Sequence, residues 1–253
     1  MRELLRSTAE RAIRYLEGVE SRGVAPSAEA LAALERFDEP LPEGSTDPAE
    51  VLRLLDEIGS PATIAMAGPR YYGFVIGGSL PVALAANWLA TAWDQNAGFY
   101  QITQMAAFIE RVALGWLLDV LALPAASGGG FVTGATVANF TALAAARHAV
   151  LERAGWNVEA DGLFGAPPIT VVVSEEAHPA LFKSLGMLGL GRNRVLRVPT
   201  DDQGRMRADE LPPLDGPAII CTQAGNVNTG AFDPIGEICE RAHEVGAWVH
   251  VDG

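Results

Sequence analysis

Apolar positions along the first half of the chain recur every three or four residues, the period of a helix with one buried face. Leu4, Leu5, Ala9, Ile13 and Leu16 set this rhythm in a first helix over Met1 to Val19, which ends near Gly23. Pro26 and Ser27 start a second helix, Ala28 to Phe37, and a polar linker from Leu41 to Asp47 follows. Asp47 and Pro48, a cap and a first-turn proline, open a third helix that runs to Ile58. Two longer helices are predicted over Leu80 to Trp93 and Thr103 to Leu123. The second carries Phe108, Val112, Trp116, Leu117 and Val120 on one face and is stopped by Pro124. An alanine-rich helix then follows a glycine loop and extends to about Gly155.

From Pro168 the rhythm changes to short β-branched runs separated by helical stretches. Strands are expected at Ile169 to Ser174, Arg194 to Val198, Pro217 to Thr222 and Ala247 to Asp252, with helices beginning at Pro179 and Ile235. Strands that alternate with helices imply an α/β fold with a mainly parallel sheet. We therefore expect a helical arm over residues 1–65 and a larger α/β domain over 66–253. On the last strand Trp248, His250 and Asp252 share one face while Val249 and Val251 share the other. Parallel sheets bind ligands at the carboxyl ends of their strands, and the polar residues gather there. They are Glu175, Glu176 and His178 after one strand, Gln223 to Thr229 after another, and Asp252 after the last. The chain stops one residue after Asp252, so it is expected to be the front portion of a longer protein. An unfilled gap or edge is expected beside the last strand.

Composition narrows the function. With 49% hydrophobic and 19% charged residues the chain can bury a substantial core. Its formal net charge of -13 argues against nucleic acid or an anionic membrane as partner, because phosphate surfaces need clustered Lys and Arg. The apolar residues of the N-terminus are spread at helical spacing instead of forming a signal block. No apolar stretch reaches the roughly 20 residues that span a bilayer. Cys221 and Cys239 have neither metal-ligand nor disulfide-framework spacing, which fits reduced thiols in the cytoplasm.

Two loops invite a ligand. Gly128 to Asn139, reading GGGFVTGATVAN, places small residues and Thr136 at a helix start, where backbone N–H groups and a hydroxyl converge on an anion. It matches neither GxGxxG nor a Walker loop. Gly68 to Gly78, reading GPRYYGFVIGG, sets Tyr71, Tyr72 and Phe74 between glycines, as in a loop that lines a substrate pocket or one packed by its own aromatics. His250 and Asp252 alone are too few ligands for a metal, and no metal is expected. No GxSxG nucleophile elbow occurs.

Four segments in order, FVTGATVANF at 131–140, SEEAHPALFKSLGMLG at 174–189, NVNTGAFDPI at 226–235 and HVDG at 250–253, resemble the pyridoxal-phosphate-dependent group II amino-acid decarboxylases, which include the aromatic-amino-acid and glutamate decarboxylases. The resemblance runs from about Tyr71 to Gly253 and more weakly over the arm. It implies the fold-type-I architecture, pyridoxal 5'-phosphate as cofactor, an L-amino acid as substrate and a homodimer with the arm packed across it. It gives Ala135 and Thr136 to the cofactor phosphate, His178 to the ring face near the substrate carboxylate, and Asp252 to the pyridine nitrogen. Two positions depart from the family pattern. Val137 stands where many relatives carry a polar residue, and Asn226-Val227 replaces threonines. In that family a lysine downstream of the aspartate carries the cofactor. The one lysine here, Lys183, lies five residues after His178 on the same helix and is expected to be a solvated charge. By itself the chain is thus expected to be inactive. Other reactions open to such a core are transamination, aldehyde formation and carbon-sulfur cleavage, and a non-catalytic interaction subunit is the alternative outside enzymes.

Overall fold

The computed structural model describes all 253 residues and divides them into two compact units, Met1–Gln104 and Met105–Gly253. The first unit is helical, with α1 (Arg2–Gly18), α2 (Ala28–Ala33, continued by a 3-10 turn to Phe37), α3 (Pro48–Leu54) and α4 (Pro81–Trp93). Ser27 and Asp47 cap α2 and α3 by accepting from the N–H groups of Ala30 and Ala49. The expected third helix is not uniform. After Leu54 it widens into a π turn, Leu55–Gly59, before a last short turn, Ser60–Ala62. Pro61 has no N–H to continue the regular ladder, which accounts for the local change of pitch.

Arginines stitch this unit together. Arg11 and Arg14 reach Asp56 at 2.7 and 3.3 Å, and Arg22 donates to the carbonyls of Ser60, Pro61 and Thr63. Apolar packing is sparse by comparison. Ile58 is fully buried, whereas α1, α2, α3 and α4 contain no buried residue.

α5 (Gln104–Val120) starts on the last residue of the first unit and otherwise belongs to the second, which continues with α6 (Ala135–Arg153) and then alternates β1 (Thr170–Ser174), α7 (Pro179–Met187), β2 (Leu196–Val198), β3 (Ala218–Gln223), α8 (Ile235–Glu244) and β4 (Trp248–Asp252). The α/β reading and the helix-to-strand change near residue 168 hold. The four strands are all parallel, in the order β2-β1-β3-β4. Of the gap or edge expected beside the last strand, the structure has the edge and no gap. β3 lies directly between β1 and the Asp-bearing strand, and it pairs with β4 from Ile219↔Trp248 to Gln223↔Asp252. Strand order in a parallel sheet is free of chain order because each crossover passes over a face, and the intervening strand here precedes β4 in sequence. β4 is an edge strand on its other side.

The alternating side chains of the sheet feed two cores. Val171, Val173, Ile219 and Cys221 pack against Leu143, Ala146 and Val150 of α6 and Leu181 and Leu185 of α7. Val172, Val198, Ala218 and Ile220 pack against Met206, Ala208 and Ile238 and Ala242 of α8. A strand buried on both faces must be apolar at every position, which explains the continuous Val and Ile runs. No helix is long and apolar enough to cross a membrane.

Candidate functional site

The parallel register brings Ser174, Gln223 and Asp252 to one edge of the sheet, the edge formed by the strand carboxyl ends. A small pocket there is lined by Ser174, Ala177, His178, Leu181, Cys221, Thr222, Gln223 and Asp252, so the structure places His178 and Asp252 in the same recess. His178 caps α7, its Nδ1 accepting from the Ala180 N–H at 3.2 Å. That bond assigns the neutral tautomer with hydrogen on Nε2, whose edge remains available. Lys183 lies on the exposed side of α7, as expected of a solvated charge.

Asp252 is half-buried and tied by one oxygen. Its Oδ1 accepts from Asn139 Nδ2 at 3.0 Å, and its Oδ2 has no protein partner. The same Asn139 amide donates to Ala135 O at 3.1 Å, and its Oδ1 lies 2.6 Å from His250 Nε2. Burial pushes the pKa of His250 below its ordinary value, against the weaker opposing pull of Asp252, which favours the neutral imidazole. From sequence, Asn139 carried no role, and His250 was placed on the strand face of Asp252 and in the HVDG motif without a role of its own. The usable signals were the i,i+4 spacing of Asn139 from Ala135 and the shared strand face of His250 and Asp252.

Ala135 and Thr136 form the first turn of α6. The N–H groups of Val137 and Ala138 both turn to Gly134 O, and Gly134 has no side chain with which to cap the N–H groups of Ala135 and Thr136. Open space adjoins Gly128, Gly130 and Gly134. Ser184 Oγ, 2.9 Å from both Thr136 O and Ala180 O, fastens this turn to α7. The cradle and the His178 helix are therefore held to each other.

A second set of bonds locks the loops around the pocket. Asn226 Nδ2 donates to Glu176 Oε2 at 2.9 Å, while Asn226 Oδ1 accepts from the Asn228 and Thr229 N–H groups. Thr229 Oγ1 donates to Gln203 O at 2.7 Å. Buried Asp233 accepts from the N–H groups of Met206 and Gln223, both at 2.7 Å; burial raises its pKa and these two donors oppose the rise. Cys221, on the pocket wall, has its thiol pKa pushed up by burial and secondarily by Asp252, so it stays protonated and is not a nucleophile.

Tyr71, Tyr72 and Phe74 belong to the other compact unit. Tyr71 folds over its own loop, beside Gly73 and Gly77, whereas Tyr72 and Phe74 are 90% and 87% exposed.

The residues present suit pyridoxal phosphate. An uncapped helix start with a threonine can take the phosphate, a carboxylate with one free oxygen can take a ring N–H, and the buried Gln223 Oε1 beside Asp252 lacks a partner within the protein.

Known proteins resemble the chain in sequence and in fold. The family model described as the pyridoxal-dependent decarboxylase conserved domain matches residues 42–253. The chain is 26% identical to the aromatic-L-amino-acid decarboxylase of Bacillus atrophaeus over 268 residues, covering 100% of this chain and 52% of that protein. It is 32% identical to the L-2,4-diaminobutyrate decarboxylase of Rhizobium meliloti over 225 residues, 85% of this chain and 43% of that one. The crystal structure of mouse CSAD in apo form superposes with a TM-score of 0.87 at 22% identity, covering 99% of this chain and 54% of that chain. Oryza sativa TDC with PLP and tryptamine superposes with a TM-score of 0.85 at 24% identity, covering 99% and 54%. The chain thus spans about half the length of the curated relatives it matches, and its fold is that of the fold-type-I enzymes. The match over residues 42–253, more than four fifths of the chain, makes the chain a member of the pyridoxal-dependent decarboxylase family.

Proposed function

We propose that the protein carrying this chain removes the α-carboxylate of an L-amino acid with pyridoxal 5'-phosphate. The observation that supports this most is the single Asn139 amide bonded to both Ala135 O and Asp252 Oδ1, because it sets a phosphate cradle next to a carboxylate. When bound, the cofactor supplies an electron sink for the pair released as CO2 departs. The protein's part is electrostatic and positional. The N–H groups of Ala135 and Thr136, with the Thr136 hydroxyl, bind the phosphate at the positive end of the α6 dipole. Asp252 Oδ2 would hold a proton on the ring nitrogen, since a carboxylate favours a protonated partner. His178, which lines the same recess as Asp252, would cover a face of the bound ring and meet the substrate carboxylate.

The test is a panel of L-amino acids given to the full-length protein with cofactor, followed for CO2 and amine. One or more should yield both in equal amounts; amine without CO2, or no product from any substrate, would overturn the reading. Thr136→Val should weaken cofactor binding by about 1.5 to 3 kcal/mol, the loss of a hydrogen bond to a charged group, read by titration of the apoprotein. Unchanged affinity would show that the phosphate lies elsewhere.

The same reading includes a homodimer. α1 and α4 bury no residue, and a groove lined by Ala12, Ile13, Leu16, Leu84, Ala85 and Trp88 runs between them. Leu5, Leu89 and Trp93 are more than a third exposed, an apolar surface that favours a second copy packed through the arm, residues 1–65. Light scattering on the full-length protein should give twice the chain mass; a monomer that turns over substrate would refute the dimer. The two free cysteines accord with a cytoplasmic location.

A further inference from the structure

We propose that Asn139 is a positioning residue that sets the orientation of Asp252 and, through the same amide, its distance from the phosphate cradle, with His250 fixing which way that amide faces. This rests on the cofactor reading of the site.

An asparagine inside a helix is a poor helix former, and a buried amide needs partners for all of its polar groups. Asn139 is 3% exposed on the second turn of α6, and each of its groups is used. The nitrogen faces two oxygens that can only accept, Ala135 O at 3.1 Å and Asp252 Oδ1 at 3.0 Å, so both of its hydrogens are assigned. The oxygen must then accept, and the group opposite is His250 Nε2 at 2.6 Å, which therefore carries a hydrogen. His250 is itself only 5% exposed, and its backbone carbonyl accepts from Thr222 Oγ1 at 3.2 Å, so the imidazole starts from a strand held in register.

The chain of bonds has one direction: His250 donates to Asn139, and Asn139 donates to Asp252. It ends on Oδ1 and leaves Oδ2 with no protein partner, on a residue that lines the pocket with His178. A reversed amide would set its oxygen against both the carboxylate and Ala135 O, so the His250 bond selects the productive orientation. Because one amide holds both Ala135 O and Asp252, the helix start cannot shift relative to the carboxylate without breaking a bond. The separation between the helix start and the carboxylate is thereby held fixed.

Two cofactor analogues without an aldehyde test this by binding alone. One is 4'-deoxypyridoxine 5'-phosphate, and the other is its counterpart with a benzene ring replacing the pyridine. Both offer the same phosphate, so their affinity ratio for the full-length apoprotein, read by tryptophan fluorescence, isolates the contact with the ring nitrogen. A charge-assisted hydrogen bond predicts that the pyridine analogue binds roughly 10- to 100-fold more tightly to the unaltered protein. Asn139→Leu should cut that ratio to about threefold or less, and His250→Phe should lower it in the same direction. An Asn139→Leu protein that binds both analogues more weakly by one common factor, keeping the ratio, would reduce Asn139 to a structural tie and overturn the proposal. Should Asn139→Leu fail to fold, an undiminished ratio in His250→Phe overturns it equally. Unaltered protein that binds neither analogue would defeat the cofactor reading itself, an outcome distinct from a preserved ratio.

Discussion

Asp252→Asn is expected to lower decarboxylation by the full-length protein roughly 150- to 5,000-fold while leaving the fold intact. The substitution keeps the shape at the end of β4, and an amide oxygen can still accept from Asn139 Nδ2. It removes the negative charge that, on the proposed reading, would face the ring nitrogen. Removing one partner of a paired charge costs about 3 to 5 kcal/mol, and at about 1.36 kcal/mol per tenfold in rate this gives the range above. The measurement is CO2 release at saturating substrate and cofactor, with thermal melting as the control for folding. Activity within a few-fold of the unaltered protein would remove Asp252 from the site. The related loss in Thr136→Val should fall on cofactor affinity, because the phosphate takes no part in the bond that breaks.

Gly204→Val should destabilise the protein by about 2.5 to 5 kcal/mol and loosen the loop that carries His178. Gly204 is buried with φ +76°, and a Cβ there would lie 2.6 Å from Glu176 Oε2 and 2.8 Å from Asn226 Nδ2. A β-branched residue in the left-handed region costs about 1 to 2 kcal/mol by itself. The Glu176 carboxylate can swing away, but doing so gives up its bond to Asn226, worth about 1.5 to 3 kcal/mol as a charged hydrogen bond. Asn226 is less free to move, since its oxygen holds the Asn228 and Thr229 N–H groups. Denaturant unfolding checks the loss, and cofactor titration checks the loop. A Gly204→Val protein as stable as the parent would mean that this corner repacks without strain.

Asn226 illustrates how a departure from a family pattern can be read. In sequence it is a substitution for a threonine with no visible consequence. In the structure its amide joins the β1–α7 loop to the β3–α8 loop beneath Gly204, where a shorter hydroxyl side chain offers fewer donors and acceptors. The reverse holds for α5. Its apolar face at Phe108, Trp116 and Val120 was legible from the helical period, yet these side chains are 54%, 72% and 79% exposed. Periodicity reports that a face is apolar and is silent on what covers it.

What the sequence determined by itself was local or carried by motif. Helix starts at Ser27, Asp47 and Pro179 follow from caps and fixed proline φ, and the strands follow from unbroken β-branched runs, because these are properties of neighbouring residues. The four ordered motifs were enough to identify the family. Tertiary structure decided what depends on residues far apart in the chain. The β2-β1-β3-β4 order, with β3 beside the Asp-bearing strand, comes from crossovers that leave no trace in local pattern. The link from His250 to Asn139 to Asp252 joins residues more than one hundred positions apart, and a hydrogen bond is set by distance and direction in space. Asn139 was therefore one polar residue in an alanine-rich helix until the fold set its amide between a helix start and a strand end.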